Sequence, residues 1–298
     1  MMKYDAHNWL NHLFDIRGSL LKEIAGRVIT CVVWSIAVVC FHLYRAQIGF
    51  DVVMSSVPHA LIGPALSLLL VFRTNASYDR FWEGRKLWGT IVNESRNLGR
   101  AVSVMLSGNA ALANDTLRWA IVFPWTAARQ LRGLAPEGPH LDALDSGEAA
   151  LVTTSRQPWL VAARQVTTRL QSARTAGLLS DIQFQYADQN VQILVDSMGA
   201  CQRIHNTPLP FAYMVHLRRA LIIYAYTLPI AVVESFGIWT VLVTLLISYT
   251  LFGIEEIGVE IEDPFGDDEN DLPLSDICAT IEADLREMMA RPMPVGGA

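Results

Sequence analysis

The chain has 298 residues, of which 52% are hydrophobic and 17% are charged, and its formal net charge is −6. An ordinary soluble domain has about 25% charged residues. This composition argues against a soluble cytosolic enzyme, a disordered chain and a nucleic-acid-binding protein, since the last would need a basic surface.

The N-terminal segment 1–27 is predicted to lie in the cytosol. It carries four basic residues and lacks the apolar region of a signal peptide. Within it, Asn8–Leu21 has the pattern of an amphipathic helix. Such a helix would lie on the membrane surface or pack against the cytosolic part of the protein.

Segment 28–73 is predicted to form transmembrane helices 1 and 2. Its apolar runs are Val28–Tyr44, with 17 residues, and Val52–Phe72, with 21 residues. A helix rises about 1.5 Å per residue, and the hydrocarbon core of a bilayer is about 30 Å thick. Each run is therefore long enough, or nearly so, for one crossing.

Segment 208–256 is predicted to form transmembrane helices 3 and 4. The apolar run Ala220–Ile254 has 35 residues and a single charge, Glu234. A single helix of this length would measure about 52 Å, which is too long for one crossing. We therefore expect a helical hairpin, with its first arm beginning near Pro208 and its tip around Glu234 and Gly237.

The basic residues predict the orientation of these four spans. With both termini inside, 22 of the 23 Lys and Arg residues lie on one side, and only Arg45 lies on the other. Basic residues concentrate on the cytoplasmic side of membrane proteins. The prediction is a multi-pass protein of the plasma (inner) membrane with both termini in the cytoplasm.

The two remaining segments, 74–207 and 257–298, are predicted to be a helical cytosolic domain and an acidic cytosolic tail. In the first, Tyr78–Arg100 has apolar residues at helical spacing and continues the second span. Further helical stretches are expected at about 149–176 and 181–205, after a loop rich in Gly and Pro. Because no strand-like alternation occurs, the predicted fold class is all-α.

Sequence motifs of enzymes are absent. The chain has no Gly-rich phosphate loop, HExxH or GxSxG, and its seven histidines lack metal-ligand spacing. We therefore predict that the protein is not an enzyme and requires no cofactor. His59 lies within the second span, where it is either a hydrogen-bonded packing group or a pore-facing group.

One face of the second span suggests a pore. Leu68 and Phe72 are four residues apart, and Pro64 lies one turn earlier. On a helix that lines a symmetric axis, such a face would form apolar rings, which gate a narrow pore by dewetting. The alternative is that this face packs against another span or against lipid.

The tail concentrates negative charge. Residues 255–298 include thirteen acidic residues and two arginines, and the acidic string Asp263–Asp271 lies among them. Clustered carboxylates are ligands that Ca²⁺ prefers, although the spacing is not that of an EF-hand. The alternative is an acidic turn that pairs with the basic middle segment.

Two strings resemble the bestrophin family of ion channels, particularly its short bacterial branch. They are FRTNASYDRFWEGR at residues 72–85 and DPFGDD at residues 263–268. The resemblance covers about residues 8–275. It implies a homopentamer with one central pore, in which the second span lines a hydrophobic neck and a helical cytosolic domain encloses a vestibule.

The resemblance also implies site residues. The neck positions of the family fall on Phe72, Leu68 and Pro64, and Pro64 departs from the bulky apolar residue usual there. A second, cytosolic constriction corresponds to Ile182. The neck is apolar and offers no charge for choosing between ions.

A Ca²⁺ clasp of animal bestrophins gives the acidic string a further implied role. The matching positions are Glu260, Asp263, Asp268 and Asp271, where Glu260 replaces a Gln and Asp263 an Asn. The bacterial branch is less dependent on Ca²⁺, so the ion is a possible ligand and not a required one.

The expected function is passive passage of monovalent ions. Animal bestrophins pass chloride, whereas short bacterial members resemble cation channels. Asp51 and Glu234 lie near the predicted outer mouth, and rings of carboxylates there would favour cations such as Na⁺. The expected partners are lipid, other copies of the chain and the permeating ions. The alternatives are a chloride channel of the same fold and a non-conducting membrane scaffold or signalling protein.

Overall fold

The computed structural model describes residues 20–48 and 54–290, apart from the side chains of residues 46–48. Within these residues every regular element is a helix, which confirms the all-α prediction. The predicted helix Asn8–Leu21 lies outside the described residues except for its last two, and Asp51 lies outside them entirely.

The described residues form nine α-helices and two 3₁₀ turns, the latter at Pro139–Leu141 and Gly237–Trp239. The α-helices are α1 (Leu21–Ile48), α2 (Val57–Met105), α3 (Ala110–Leu131), α4 (Ser146–Thr153), α5 (Pro158–Thr175), α6 (Asp181–Asn206), α7 (Phe211–Phe236), α8 (Thr240–Glu260) and α9 (Leu274–Ala290).

Local sequence explains where several helices begin. The Asn109 side chain accepts a hydrogen bond from the Leu112 N–H at the start of α3, and Ser180 forms a capping box with Gln183 at the start of α6. Pro158 occupies the first position of α5, where its missing N–H costs nothing.

The structure differs from the predicted helical stretch at 149–176. This stretch belongs to two helices, because the chain leaves the helical conformation after Thr153 and Pro158 starts a new helix. The sequence analysis also missed α3 and α9. Helix α3 is buried on most of its surface, which hides the periodicity. In α9, acidic residues obscured a buried stripe formed by Leu274, Cys278, Ile281 and Leu285.

The chain divides into two compact units. The spanning unit comprises Met2–Phe81 and Pro208–Asp263, and the polar unit comprises mainly Trp82–Thr207 and Pro264–Ala298. Helix α2 begins in the first and ends in the second.

Three stretches of the described chain are long and apolar enough to cross a membrane: Leu21–Arg45, Val57–Met105 and Phe211–Glu260. The third contains α7 and α8 and turns at Gly237, whose φ of 53° is in the left-handed region that glycine tolerates best. The hairpin predicted from its length is therefore present.

The core of the spanning unit joins all four of its helices. Its buried members are Ile24, Val28, Cys31, Leu70, Leu217, Leu221, Ala225 and Phe252. Because α2 contributes Leu70 to this core, one side of α2 packs against the other spanning helices. The opposite side of α2 is available for other contacts.

The polar unit is organised around α3. This helix packs on α5 and α9, and α5 packs on α6. Fully or nearly fully buried side chains fill these contacts: Trp119, Phe123, Leu170, Met198 and Ile281. The unit therefore has a hydrophobic core of its own.

A buried histidine makes the polar unit sensitive to acid. The His140 ring stacks on Trp125, with ring centroids 5.6 Å apart. Burial, with a smaller effect from Arg129, lowers the pKa of His140 from 6.5 to about 4, although Glu282 and Asp142 act in the opposite direction. His140 is therefore neutral in the folded protein at neutral pH.

We expect stability to fall as the pH is lowered from about 6.5 towards 4. In this range the unfolded chain binds a proton at His140 and the folded chain does not. The free energy of unfolding is therefore lower by about 2 kcal/mol at pH 5 than at neutral pH. Thermal unfolding of the protein and of His140→Phe at pH 7 and pH 5 checks this. The substitution keeps an aromatic ring beside Trp125, and its unfolding temperature should depend less on pH; equal pH dependence would contradict the assignment.

Candidate pore surface

Helix α2 has one buried and one exposed face within the spanning unit. The buried side chains recur at spacings of three, four and seven residues: His59, Leu66, Leu70, Arg73 and Ser77. This spacing keeps them on one side of the helix. The apolar residues between them face away from the core of the chain.

Leu68 and Phe72 lie on the exposed face. Their exposed fractions are 54% and 57%. Each is two residues from a buried leucine, Leu66 or Leu70, and two residues correspond to a rotation of about 200° around a helix. Pro64, one turn before Leu68, is also exposed and lies inside the helix. The structure thus places all three predicted neck residues on one face.

This face carries no formal charge before the end of the predicted span. Between Val57 and Phe72 the sequence contains no Lys, Arg, Asp or Glu. The Ser67 hydroxyl donates to the Gly63 carbonyl at 3.0 Å, so it is engaged within the helix. An ion beside this face would meet mainly hydrocarbon.

His59 belongs to the packing face and not to the exposed face. Its side chain is buried, and its Nε2 lies 2.9 Å from the Thr227 hydroxyl. Its ring lies 5.1 Å from that of Tyr224. Of the two interpretations of His59, the structure supports a hydrogen-bonded packing group between α2 and α7.

An ionic cluster around the buried Glu255 lies at the end of the predicted span, and it was not predicted from the sequence. Glu255 of α8 accepts hydrogen bonds from Arg73 of α2, from Arg218 of α7 at 3.0 Å and from Arg27 of α1 at 3.1 Å. The neighbouring Glu256 also accepts from Arg27. The sequence does show that these charged residues border apolar runs. It does not show which of them form ion pairs with one another.

The predicted outer-mouth carboxylate Glu234 is paired. It accepts a hydrogen bond from Arg45 of α1, and its Oε1 lies 3.9 Å from Nδ1 of His42. The only basic residue expected on this side of the membrane is therefore in contact with Glu234. This pairing reduces the charge that Glu234 offers to a passing cation.

The predicted cytosolic constriction residue, Ile182, is 80% exposed. It is the second residue of α6, after the cap provided by Ser180. The preceding Asp181 accepts a hydrogen bond from Arg174 at 2.6 Å. A large aliphatic side chain is thus held at a capped helix end, where the described residues of its own chain leave it uncovered.

The string DPFGDD is partly structural in the polar unit. Phe265 is fully buried beside Gly84, where an added Cβ would lie 3.1 Å from the Phe265 ring. Arg132 donates to the Gly266 carbonyl at 3.0 Å and lies 3.2 Å from the Asp267 carboxylate. The acidic turn therefore pairs with a basic residue of the middle segment, as one of the two interpretations expected.

The residues proposed as a Ca²⁺ clasp do not fit such a site in this structure. The Asp271 carboxylate accepts a hydrogen bond from the Asp268 N–H at 2.8 Å and thereby stabilises its own turn. In the described part of the chain, no group of three or more His, Cys, Asp or Glu side chains could hold a metal ion.

Comparison with known proteins identifies relatives over nearly the whole chain. A family model described as Bacterial/Fungal Bestrophin protein matches residues 1–287. A voltage-dependent anion channel-forming protein of Nostoc sp. is 37% identical over 285 residues, covering 94% of this chain and 92% of the relative. A protein of Escherichia coli K12 with the same description is 33% identical over 288 residues, covering 97% and 94%.

Comparison with solved structures points to the same family. The crystal structure of a bacterial bestrophin homologue from Klebsiella pneumoniae matches with a TM-score of 0.85 and 32% sequence identity. The match covers 91% of this chain and 100% of that chain. The range matched by the family model, residues 1–287, includes the residues of the exposed α2 face.

Proposed function

This chain belongs to the bacterial and fungal bestrophin family of ion channels, and from that premise we propose that it passes monovalent ions through a neck lined by Leu68 and Phe72. It is a membrane protein and a channel, not an enzyme. The observation that carries the proposal is the uncharged face of α2, with two large apolar side chains exposed on it.

The proposed assembly is a homopentamer around one axis. Alone, the chain leaves Leu61, Leu68 and Phe72 of α2 more than half exposed, although apolar residues at these positions favour burial. Five copies arranged with these faces inward would enclose a narrow apolar passage. Each ring of five side chains would repel water and ions unless it widened.

The mass of the assembled protein tests this arrangement. The chain has a mass of 33.1 kDa, and we expect native mass spectrometry of the detergent-purified protein to give five times this value. A monomer as the dominant species would contradict an axial pore. A closed ring with a different number of subunits would still be consistent with an axial pore and would change only the symmetry of the assembly.

Cations, Na⁺ in particular, are the proposed permeating ions. The neck carries no charge, so charges around it must select between cations and anions. Each chain contributes a formal net charge of −6. In the proposed assembly, the outer loops would bring Asp51 and Glu234 near the mouth. Charged rings at a pore mouth raise the local concentration of counter-ions.

An anion channel of the same architecture is the second candidate. It is favoured by the contact between Arg45 and Glu234, which neutralises one of the two predicted mouth carboxylates. Two relatives from Nostoc and Escherichia coli are also described as forming voltage-dependent anion channels. Reversal potentials separate the two candidates.

The proposed location is the inner membrane, with both termini in the cytoplasm. The distribution of Lys and Arg supports this orientation. Ile182, the proposed second constriction, would then lie on the cytosolic side of the membrane. Exposed apolar residues of the spanning helices, such as Ile29 and Leu246, would contact lipid.

A further inference from the structure

We propose that the ion pair between Arg73 and Glu255 fixes the rotation of α2 and so directs Phe72 and Leu68 towards the passage. Arg73 and Glu255 are then positioning residues for ion permeation, although neither touches the ion. The inference rests on the proposed function, because the direction of Phe72 matters for permeation only if α2 lines the pore.

Adjacent residues on α2 have opposite environments. The side chain of Arg73 is fully buried, whereas that of Phe72, the residue before it, is 57% exposed. Successive residues are about 100° apart around a helix. Fixing the direction of the Arg73 side chain therefore fixes the direction of Phe72 and, one turn earlier, of Leu68.

Glu255 is suited to fix that direction because it contacts three other helices of the spanning unit. Its Oε1 accepts from Arg73 of α2 and from Arg218 of α7, and its Oε2 accepts from Arg27 of α1. Hydrogen bonds between charged groups are strong and directional, and an arginine presents its donors in a rigid plane.

The side chain of Arg73 is enclosed by its neighbours. Gly258 lies one turn after Glu255 on α8, and an added Cβ there would be 3.4–3.6 Å from the Arg73 side chain. The Tyr213 hydroxyl donates to the Leu69 carbonyl at 2.8 Å, and Leu70 is buried in the apolar core. Three nearby positions of α2 are thus held from the same side.

The Arg73–Glu255 ion pair is better explained by a role in orienting α2 than by a contribution to protein stability alone. Apolar residues of similar volume stabilise a buried position as well as a buried ion pair, since desolvation of the charges offsets much of their attraction. Apolar contacts, however, permit small rotations of a helix that a directional ion pair opposes. The ion pair therefore determines where Phe72 points, a property that can be measured separately from assembly.

The experiment compares the accessibility of two positions on α2. Single cysteines replace Phe72 or the partly buried Leu69 in a Cys40→Ser background, because Cys40 is exposed and Cys31, Cys201 and Cys278 are buried. A positively charged methanethiosulfonate is applied to the assembled full-length protein in a bilayer. The rate of current change and the labelled fraction by mass spectrometry are both recorded.

We expect the cysteine at position 72 to react much faster than the cysteine at position 69. Glu255→Gln should reduce the ratio of the two rates on the order of tenfold, because the amide lacks the negative charge and has only one acceptor oxygen, so its bond to Arg73 is weaker. Glu256→Gln is the matched control. It removes a buried carboxylate that binds Arg27 but not Arg73, and it should leave the ratio unchanged.

An equal ratio in Glu255→Gln and in the parent would overturn the proposal. If Glu255→Gln does not assemble, Arg73→Lys replaces it, and an unchanged ratio in that variant overturns the proposal as well. Failure of the pore assignment is distinguishable from both: the cysteine at position 72 would be labelled in the parent without any change of current.

Discussion

Combined replacement of Leu68 and Phe72 by alanine is expected to raise the single-channel conductance about tenfold. The two side chains supply the exposed apolar surface of the proposed neck, and their removal would widen and wet it. A tenfold change corresponds to a barrier lower by about 1.4 kcal/mol. Single-channel recording in planar bilayers of symmetric NaCl measures it, and each single substitution should give part of the increase.

Leu246→Ala is the matched control for this prediction. Leu246 of α8 is 57% exposed, close to the 54% of Leu68, and the proposal places it against lipid. Its replacement removes the same atoms and should leave the conductance unchanged. Unchanged conductance in the double variant, with assembled protein in the bilayer, would show that this face of α2 does not limit the flow.

Replacement of Phe265 by alanine is expected to destabilise the polar unit by about 3–5 kcal/mol. The side chain is fully buried, and its removal loses apolar burial and leaves a cavity beside Gly84. The turn that Arg132 and Asp271 organise would lose its apolar anchor. Chemical or thermal unfolding of the purified protein, followed by circular dichroism, measures the change.

Phe211→Ala provides the comparison for Phe265→Ala. Phe211 is 82% exposed, so the same chemical change should alter stability by no more than about 0.5 kcal/mol. Equal unfolding curves for both variants would mean that DPFGDD does not anchor the polar unit. The string would then need a role outside the folded core.

Much of the spanning unit could be predicted from the sequence because the bilayer imposes simple rules. The length of the apolar run Ala220–Ile254 required a turn, and Gly237 supplies it. The four-residue spacing of Leu68 and Phe72 placed both on one helix face. Only the structure shows that Leu66 and Leu70 are buried within the chain, whereas Leu68 and Phe72 stay exposed on the other face.

The ionic cluster could not be predicted in the same way. Arg27, Arg73 and Glu255 each border an apolar run, and as sequence signals they mark only the ends of spans. Their contact depends on how α1, α2 and α8 pack, and Arg73 and Glu255 are separated by 182 positions. The pairing of Arg45 with Glu234 was hidden for the same reason, and it changes the charge expected at the outer mouth.

In the polar unit, two helices, α3 and α9, could not be predicted from hydrophobic periodicity. Helix α3 is surrounded by other helices, so its apolar residues are not confined to one stripe. Helix α9 begins shortly after the acidic turn, and its charged residues suggested a solvated tail. The buried Leu274, Cys278, Ile281 and Leu285 show that this segment belongs to the core.

The reversal potential of the purified protein in a planar bilayer under a NaCl gradient tests the central claim most directly. Conduction of monovalent cations predicts a reversal potential shifted towards the equilibrium potential of Na⁺. A shift towards that of Cl⁻ would contradict cation passage and support the anion channel. Absence of current, both in the protein and in the variant with Leu68 and Phe72 replaced by alanine, would contradict the proposed pore itself.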